Sequence, residues 1–140
     1  MLLVKTKIAP SKVSGIGLFA DQFIPKDTWI WRFKKGFDIR VDKNYPETLQ
    51  EPAKSFFLTY AYQNPKTLNW VLCADNARFF NHSETANTHC VEDPEDEDAA
   101  NIASRDIQVG EELFVDYREF DTDPYYGFEK LDKEKNGIGN

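Results

Sequence analysis

The sequence has few of the residues that build disulfide and metal scaffolds. Its 140 residues include two cysteines, Cys73 and Cys90, and two histidines, His82 and His89. Two cysteines cannot form a disulfide framework in a chain of this length, and they are expected as reduced thiols of an intracellular protein. No apolar run approaches the roughly 20 residues that a membrane span needs. The opening MLLVKTKIAP is too short for a secretory leader, so neither a membrane partner nor a secreted setting is expected. The spacings of dinucleotide sites and P-loops, the nucleophile elbow G-x-S-x-G and the glycine-bearing EF-hand loop are all missing. No repeat and no inter-domain linker interrupts the chain, and its length fits one domain.

Aromatic residues, by contrast, are abundant: eleven Phe, six Tyr and three Trp. They argue for a packed core. The net charge of −7 is unevenly placed. Residues 1–60 carry ten Lys and Arg against six Asp and Glu, whereas the remainder carries seven against eighteen. Six acids fall in EDPEDED at 92–98, a block expected to be a solvated loop. This balance argues against direct nucleic-acid binding, which needs a cationic footprint, and it suits a basic partner.

The hydrophobic pattern is strand-rich. LLVKTKI (2–8), DTWIWRF (27–33), FDIRV (37–41), NWVLCA (69–74), THCVE (88–92) and NIASRDI (101–107) read as strands, and SGIGLFA (14–20) as a glycine turn leading into another short apolar run. KKG between the third and fourth predicts a hairpin, and the last two are expected to pair across the acidic loop. The segment 45–64 carries the main helical signal, with Pro52 starting or breaking the helix. VGEELFVDY (109–117) reads as a turn and a final strand, and a further helix is expected from about Pro124. The sum is a β-rich α+β domain over 1–120, with an aromatic, charged tail over 121–140.

The stretch ARFFNHSETANTHC (77–90) holds both histidines. A metal site would need His82, His89 and Cys90 together, but adjacent strand residues point to opposite faces, and tight zinc-type pairs are lacking. A hydrolase reading of His82-Ser83 lacks an orienting acid at fixed spacing. A third reading is a backbone-built cofactor pocket. There Asn81 would fix a turn through an amide that both donates and accepts, and the glycines of GIG at 15–17 would let a second backbone segment pass close by.

GIGLFA (15–20), ARFFNHSETAN (77–87) and GEELFVDY (110–117), in this order, resemble the SET-domain protein lysine methyltransferases over about residues 4–120. The resemblance implies a SET-domain fold of small curved sheets with few helices, in which the segment before Tyr117 threads beside the NHS turn in a knot-like arrangement. It implies S-adenosylmethionine as cofactor, with Gly15, Ile16, Gly17, Arg78, Asn81 and His82 holding it or shaping its pocket. Tyr117 takes the position of the catalytic residue. A lysine-containing, basic protein is the expected substrate. Its side chain would enter a channel for which Phe33, Tyr60 and Tyr62 are candidates, packing its methylenes on rings that tolerate the cationic head.

Two departures from the family pattern stand out. Where the family has NHSCxPN, this chain has NHSETAN, so Glu84 occupies the cysteine position, and no cysteine follows Tyr117. No zinc is therefore expected, and the aromatic tail (Phe120, Tyr125, Tyr126, Phe128) is the candidate to close the site instead. Phe33, within WRFKKG, stands where a tyrosine hydroxyl is expected.

Overall fold

Leu18, Ala20, Ile24, Ile30, Ala103, Ile107 and Leu113 are fully shielded from water and pack together in the computed structural model, which describes residues 1–122. They come from opposite ends of the chain, and each Leu or Ile so buried contributes about 1.5–3 kcal/mol. That burial gathers short strands that could not stand alone.

The first strands are β1 (Thr6–Pro10), β2 (Ile16–Ala20), β3 (Trp29–Trp31) and β4 (Ile39–Val41). A 3-10 turn at Tyr45–Thr48 and helix α1 (Ala53–Tyr60) follow. Then come β5 (Tyr62–Gln63), β6 (Trp70–Leu72), β7 (Asn81–His82), β8 (Thr88–Val91), β9 (Ala100–Ala103) and β10 (Phe114–Val115). Among the described residues they form four small sheets: β1-β2, β3-β9-β8, β4-β6-β5 and β10-β7. The last pair is parallel, with Phe114 opposite Asn81 and Val115 opposite His82. The other pairs are antiparallel. Among the described residues no helix is long and apolar enough to cross a membrane.

Most of the expected strands form, and β8 pairs with β9 across the acidic loop as the pattern predicts. The first starts later than expected: Leu2 makes only an isolated bridge to Trp31. The hairpin expected around KKG does not form. The turn itself is present, with Gly36 at φ +81°, and the buried Asp38 carboxylate accepts from Lys34 N and Ala74 N. Its two arms diverge, however. β3 pairs with β9 and β4 pairs with β6. The single helix expected over 45–64 is likewise divided. Pro52 lacks the N–H that would continue a helix, so α1 begins after it. Beyond Tyr60 the chain turns extended to pair with β6. The helix expected from Pro124 lies outside the described residues.

The acidic block is not a freely solvated loop. Arg32 donates to both carboxylate oxygens of Asp93 at 2.9 and 2.6 Å. Arg40 contacts Asp96 and Asp98 while its guanidinium lies 3.8 Å over the Phe33 ring. The Asp98 side chain is 1% exposed and also accepts from Asn64 Nδ2 at 2.7 Å. The basic first half and the acidic second half thus neutralise each other in part inside the fold.

Hydrogen bonds from Arg32, Arg105 and Arg118 hold Asp93, Glu111 and Asp116 below the usual carboxylate range. A carboxylate with a lowered folded value stabilises the fold fully above its unfolded value and stops doing so as pH falls through the folded one. Stability followed by urea denaturation is expected to be level down to about pH 5 and to fall below it, since free carboxylates titrate near about 4. In the same assay at neutral pH, Asp98→Ala is expected to cost about 3 kcal/mol by stripping a buried partner from Arg40. A loss within about 0.5 kcal/mol, the size of an ordinary surface change, would contradict this.

Candidate functional site

Three segments far apart in sequence meet at Asn81. Its Nδ2 lies 3.1 Å from Ser14 O, 3.4 Å from Ile16 O and 3.0 Å from Glu112 Oε1, and donates toward all three. The second oxygen of Glu112 accepts from Ser11 Oγ at 3.0 Å. With both oxygens engaged, the carboxylate sits against Gly17. A Cβ there would lie 2.8 Å from Glu112 Cδ and 3.1 Å from Ser11 Cβ. Gly17 is therefore required by the approach of Glu112, and Gly15 by its own backbone, at φ +48°. The sequence reading assigned these glycines to close passage beside a ligand; the protein's own packing already demands them.

Asn87 and Thr88 then align the last strand. Asn87 donates through Nδ2 to Glu112 O at 2.8 Å and accepts at Oδ1 from Phe114 N at 2.9 Å. Thr88 Oγ1 donates to Phe114 O at 2.6 Å. Ser83 N donates to Val115 O at 3.0 Å. These bonds seat β10 beside β7, which is the form the expected threading takes. Tyr117 follows at once, opening a 3-10 turn capped by Asp116. Its backbone N–H donates to His82 Nδ1 at 3.1 Å, so this nitrogen is an acceptor and the His82 side chain supports Tyr117. The Tyr117 hydroxyl donates to Phe80 O at 2.6 Å. Burial raises its pKa above the ordinary tyrosine value, so the hydroxyl keeps its proton at neutral pH.

Tyr117 also lines a cavity of about 120 Å³. Tyr60, Tyr62, Phe80 and Phe120 supply further aromatic walls, and β3, β9 and β8 supply Trp31, Asn101 and Cys90. Phe120 meets Tyr62 and Tyr117 edge-on, with ring centroids 5.0 and 5.9 Å apart. Arg78 lines the same cavity, its guanidinium 5.0 Å from the Phe79 ring and 5.8 Å from Tyr60. Two of the three candidate channel residues, Tyr60 and Tyr62, thus reach it. Phe33 does not. It packs in the cluster of Trp31, Val71, Cys73 and Ala77, beneath Arg40. Of the expected tail, Phe120 is in place; Tyr125, Tyr126 and Phe128 lie outside the described residues.

Burial pushes the Cys90 thiol up to about 12 and also raises Cys73, so neither is a thiolate. Among the described residues no group of three His, Cys, Asp or Glu is arranged to hold a metal ion. Glu84, at the position of the family's cysteine, lies 3.4 Å from Arg118. Sequence reasoning missed Ser11, Asn87, Asn101 and the role of Glu112. Asn87 and Glu112 stand inside the quoted motifs, but what they bind lies far away along the chain.

Comparison with family models finds a match to the SET domain over residues 15–118. Comparison with curated protein sequences finds no match. Among solved structures, a Plasmodium falciparum protein described as a candidate histone methyltransferase aligns with TM-score 0.54 and 21% identity, over 83% of this chain and 95% of that one. A Polycomb Repressive Complex 2 of Chaetomium thermophilum, bound to an inhibitor, aligns with TM-score 0.59 and 17% identity, over 87% of this chain. An apo form with substitutions in Ezh2 gives TM-score 0.66 and 18% identity, over 91% of this chain. This chain spans only 16% of each of those two longer chains. At these identities the likeness is one of fold.

The link between Asn81 and Glu112 is open to measurement. Asn81→Ala is expected to cost about 1–3 kcal/mol, the penalty for buried groups left unpaired. A double-mutant cycle with Glu112→Ala should show a coupling of about 0.5–3 kcal/mol. Losses that simply add would mean the two side chains do not act together.

Proposed function

The chain belongs to the SET-domain family, and from that premise we propose that it transfers a methyl group from S-adenosylmethionine to a lysine side chain of another protein. The observation that carries the reading is Tyr117. It lines an aromatic cavity, and its hydroxyl is bonded to Phe80, next to the residue that ties down the Ser14–Gly17 loop.

The residues present fit the cofactor. Ile16 is 49% exposed, and no atom lies within 4 Å of where a side chain on Gly15 would begin, so the loop that Asn81 holds from beneath is open on its outer side. Gly15, Ile16 and Gly17 would take the methionine part, Asn81 would fix their carbonyls, and His82 and Arg78 would border the remainder. When bound, S-adenosylmethionine supplies an activated methyl group on a sulfonium.

The protein must deliver a neutral, aligned amine. Tyr60, Tyr62, Phe80 and Phe120 give the cavity apolar walls, and desolvation lowers the pKa of an amine. Because the Phe80 carbonyl can only accept, Tyr117 must be the donor in that bond. In the proposed reaction the Tyr117 oxygen would act as an acceptor that orients the nitrogen. Its proton stays on oxygen, so Tyr117 works by alignment rather than as a strong base. Alignment of this kind contributes up to about 7–11 kcal/mol in favourable cases.

A basic substrate is favoured by the neighbouring surface. A groove of about 480 Å³ shares Tyr62, Cys90, Ala99 and Phe120 with the cavity and is lined by Glu92, Glu97, Asp98 and Glu119. Two arginines and Lys66 face the six acids of 92–98, which leaves that rim negative. Nucleic acid and membrane are not part of this reading, and two free thiols suit an intracellular setting.

The test is methylation of a mixture of basic proteins, read by mass spectrometry. Tyr117→Phe keeps the ring but strips the hydroxyl from Phe80 O, at about 1 kcal/mol of stability. Transfer is expected to fall by about 10²-fold, as for a positioned catalytic group, with little change in cofactor affinity by calorimetry. Wild-type transfer by Tyr117→Phe would reduce the hydroxyl to its bond with Phe80. Cofactor and peptide binding without any transfer would make the chain a binding module.

A further inference from the structure

Among the described residues the wall of the aromatic cavity carries two charges, Arg78 and Asp121, and the reading above uses only the first. Asp121 lies just beyond Tyr117 and is held from two directions. Its N–H donates to Tyr117 O at 3.0 Å, which folds it back against the turn that Tyr117 opens. Its Oδ1 accepts from Gln63 N, on β5, at 3.2 Å. Thr122 N donates to Gln63 O at 3.2 Å, so residues 121–122 are tied to β5 beside Tyr62. Phe120, immediately before, sets its ring edge-on to both Tyr62 and Tyr117. The charge of Asp121 reaches the Tyr117 hydroxyl, where it adds to burial in raising the pKa. A bond from a neutral N–H fixes a carboxylate in place and leaves its charge intact. The Arg78 guanidinium belongs to a different part of the wall. It comes from the 3-10 turn at Asn76–Phe79 and lies against the rings of Phe79 and Tyr60.

We propose that the Asp121 carboxylate is the counter-charge that draws a lysine ammonium into this cavity and selects it over an uncharged side chain of the same shape. The inference rests on the methyltransferase reading above. A cation leaving water for an aromatic cavity loses hydration, and the Arg78 guanidinium in the same wall repels it. The rings return part of that loss by cation–π attraction. Asp121 is the acid in the wall that supplies the rest, and apolar surroundings strengthen its pull. Asp121 is not the base. A free carboxyl titrates at about 4 and a free lysine amine at about 10, so a proton does not pass from the amine to it; that proton leaves to water. In the transfer itself the nitrogen lone pair forms the new N–C bond, the S–C bond breaks with its electron pair left on sulfur, and positive charge passes from sulfur to nitrogen. The arriving ammonium and the transition state therefore both carry positive charge on nitrogen, and the carboxylate favours both. An interaction made in both states appears in KM rather than in kcat.

n-Butylammonium and 1-butanol share one carbon chain and differ in charge at its end. Each can be titrated into the full chain while NMR follows the indole N–H of Trp31, which lines the cavity. The cation is expected to bind about tenfold tighter than the alcohol, the low end of what a hydrogen bond to a charged group carries. Asp121→Asn keeps an oxygen for Gln63 N and removes the charge. It should weaken n-butylammonium by about tenfold and leave 1-butanol unchanged, and Asp121→Glu, which restores the charge, should recover part of the preference. Equal affinities in the wild type, no binding of either probe, or a preference that survives in Asp121→Asn overturns the proposal. So does an equal loss of both probes in Asp121→Asn, which would make Asp121 a matter of packing. If Asp121→Asn does not fold, the wild-type comparison decides alone. Methylation is measured in parallel, on a substrate found in the basic protein mixture, where Asp121→Asn should raise KM with kcat little changed. Transfer without a cation preference removes Asp121 and leaves the methyltransferase. A preference that depends on Asp121, without transfer, keeps the cation site and removes the methyltransferase; neither removes both.

Discussion

The geometry of the site depends on one amide. Asn81 Nδ2 draws together the carbonyls of Ser14 and Ile16 and the carboxylate of Glu112, groups that sit on β1-β2 and on the approach to β10. Glu112 passes the constraint to Ser11 and, by contact, to Gly17. A partly buried carboxylate with both oxygens bonded has little freedom to move. The loop at 14–17, the turn at 80–82 and the strand leading to Tyr117 are thereby held as a single body, although each is too short to be stable alone.

That rigidity matters because the proposed chemistry relies on alignment. The Tyr117 hydroxyl is fixed by its bond to Phe80, its backbone by His82, and its ring by Phe120. Burial keeps the phenol protonated, and the two thiols nearby are equally inert. Among the described residues the cavity is lined by aromatic faces and protonated thiols, with Arg78 and Asp121 as its charged members. Such a lining can bind and orient an amine, which is the part of a methyl transfer that falls to the protein.

The charge pattern illustrates how a local reading goes astray. EDPEDED resembles a solvated loop because nothing nearby in sequence can pair with it. Its partners, Arg32 and Arg40, lie about 60 positions earlier, and they fold Asp93 and Asp98 inward. Glu92 and Glu97 stay exposed beside the groove that Asp93, Asp96 and Asp98 also line. Phe33 follows the same rule. As an aromatic near the expected channel it was a fair candidate, yet the Arg40 guanidinium stacked on its ring keeps it in the core.

The sequence by itself determined the family, most of the strands and the positions of Asn81, His82 and Tyr117, because those rest on short motifs whose residue types are demanded locally: an amide at a turn, a glycine at positive φ, alternating apolar residues on a strand. Beyond the β8–β9 pair, it could not decide which strands pair, where the KKG arms go, or what Glu112, Asn87 and Asn101 bind. Those contacts join residues 13 to 101 positions apart, and nothing in the local pattern distinguishes one distant partner from another. Tertiary packing makes that choice, by burying the apolar faces of β2, β3 and β9 against one another and leaving each buried polar group to bond with whatever that packing brings within reach.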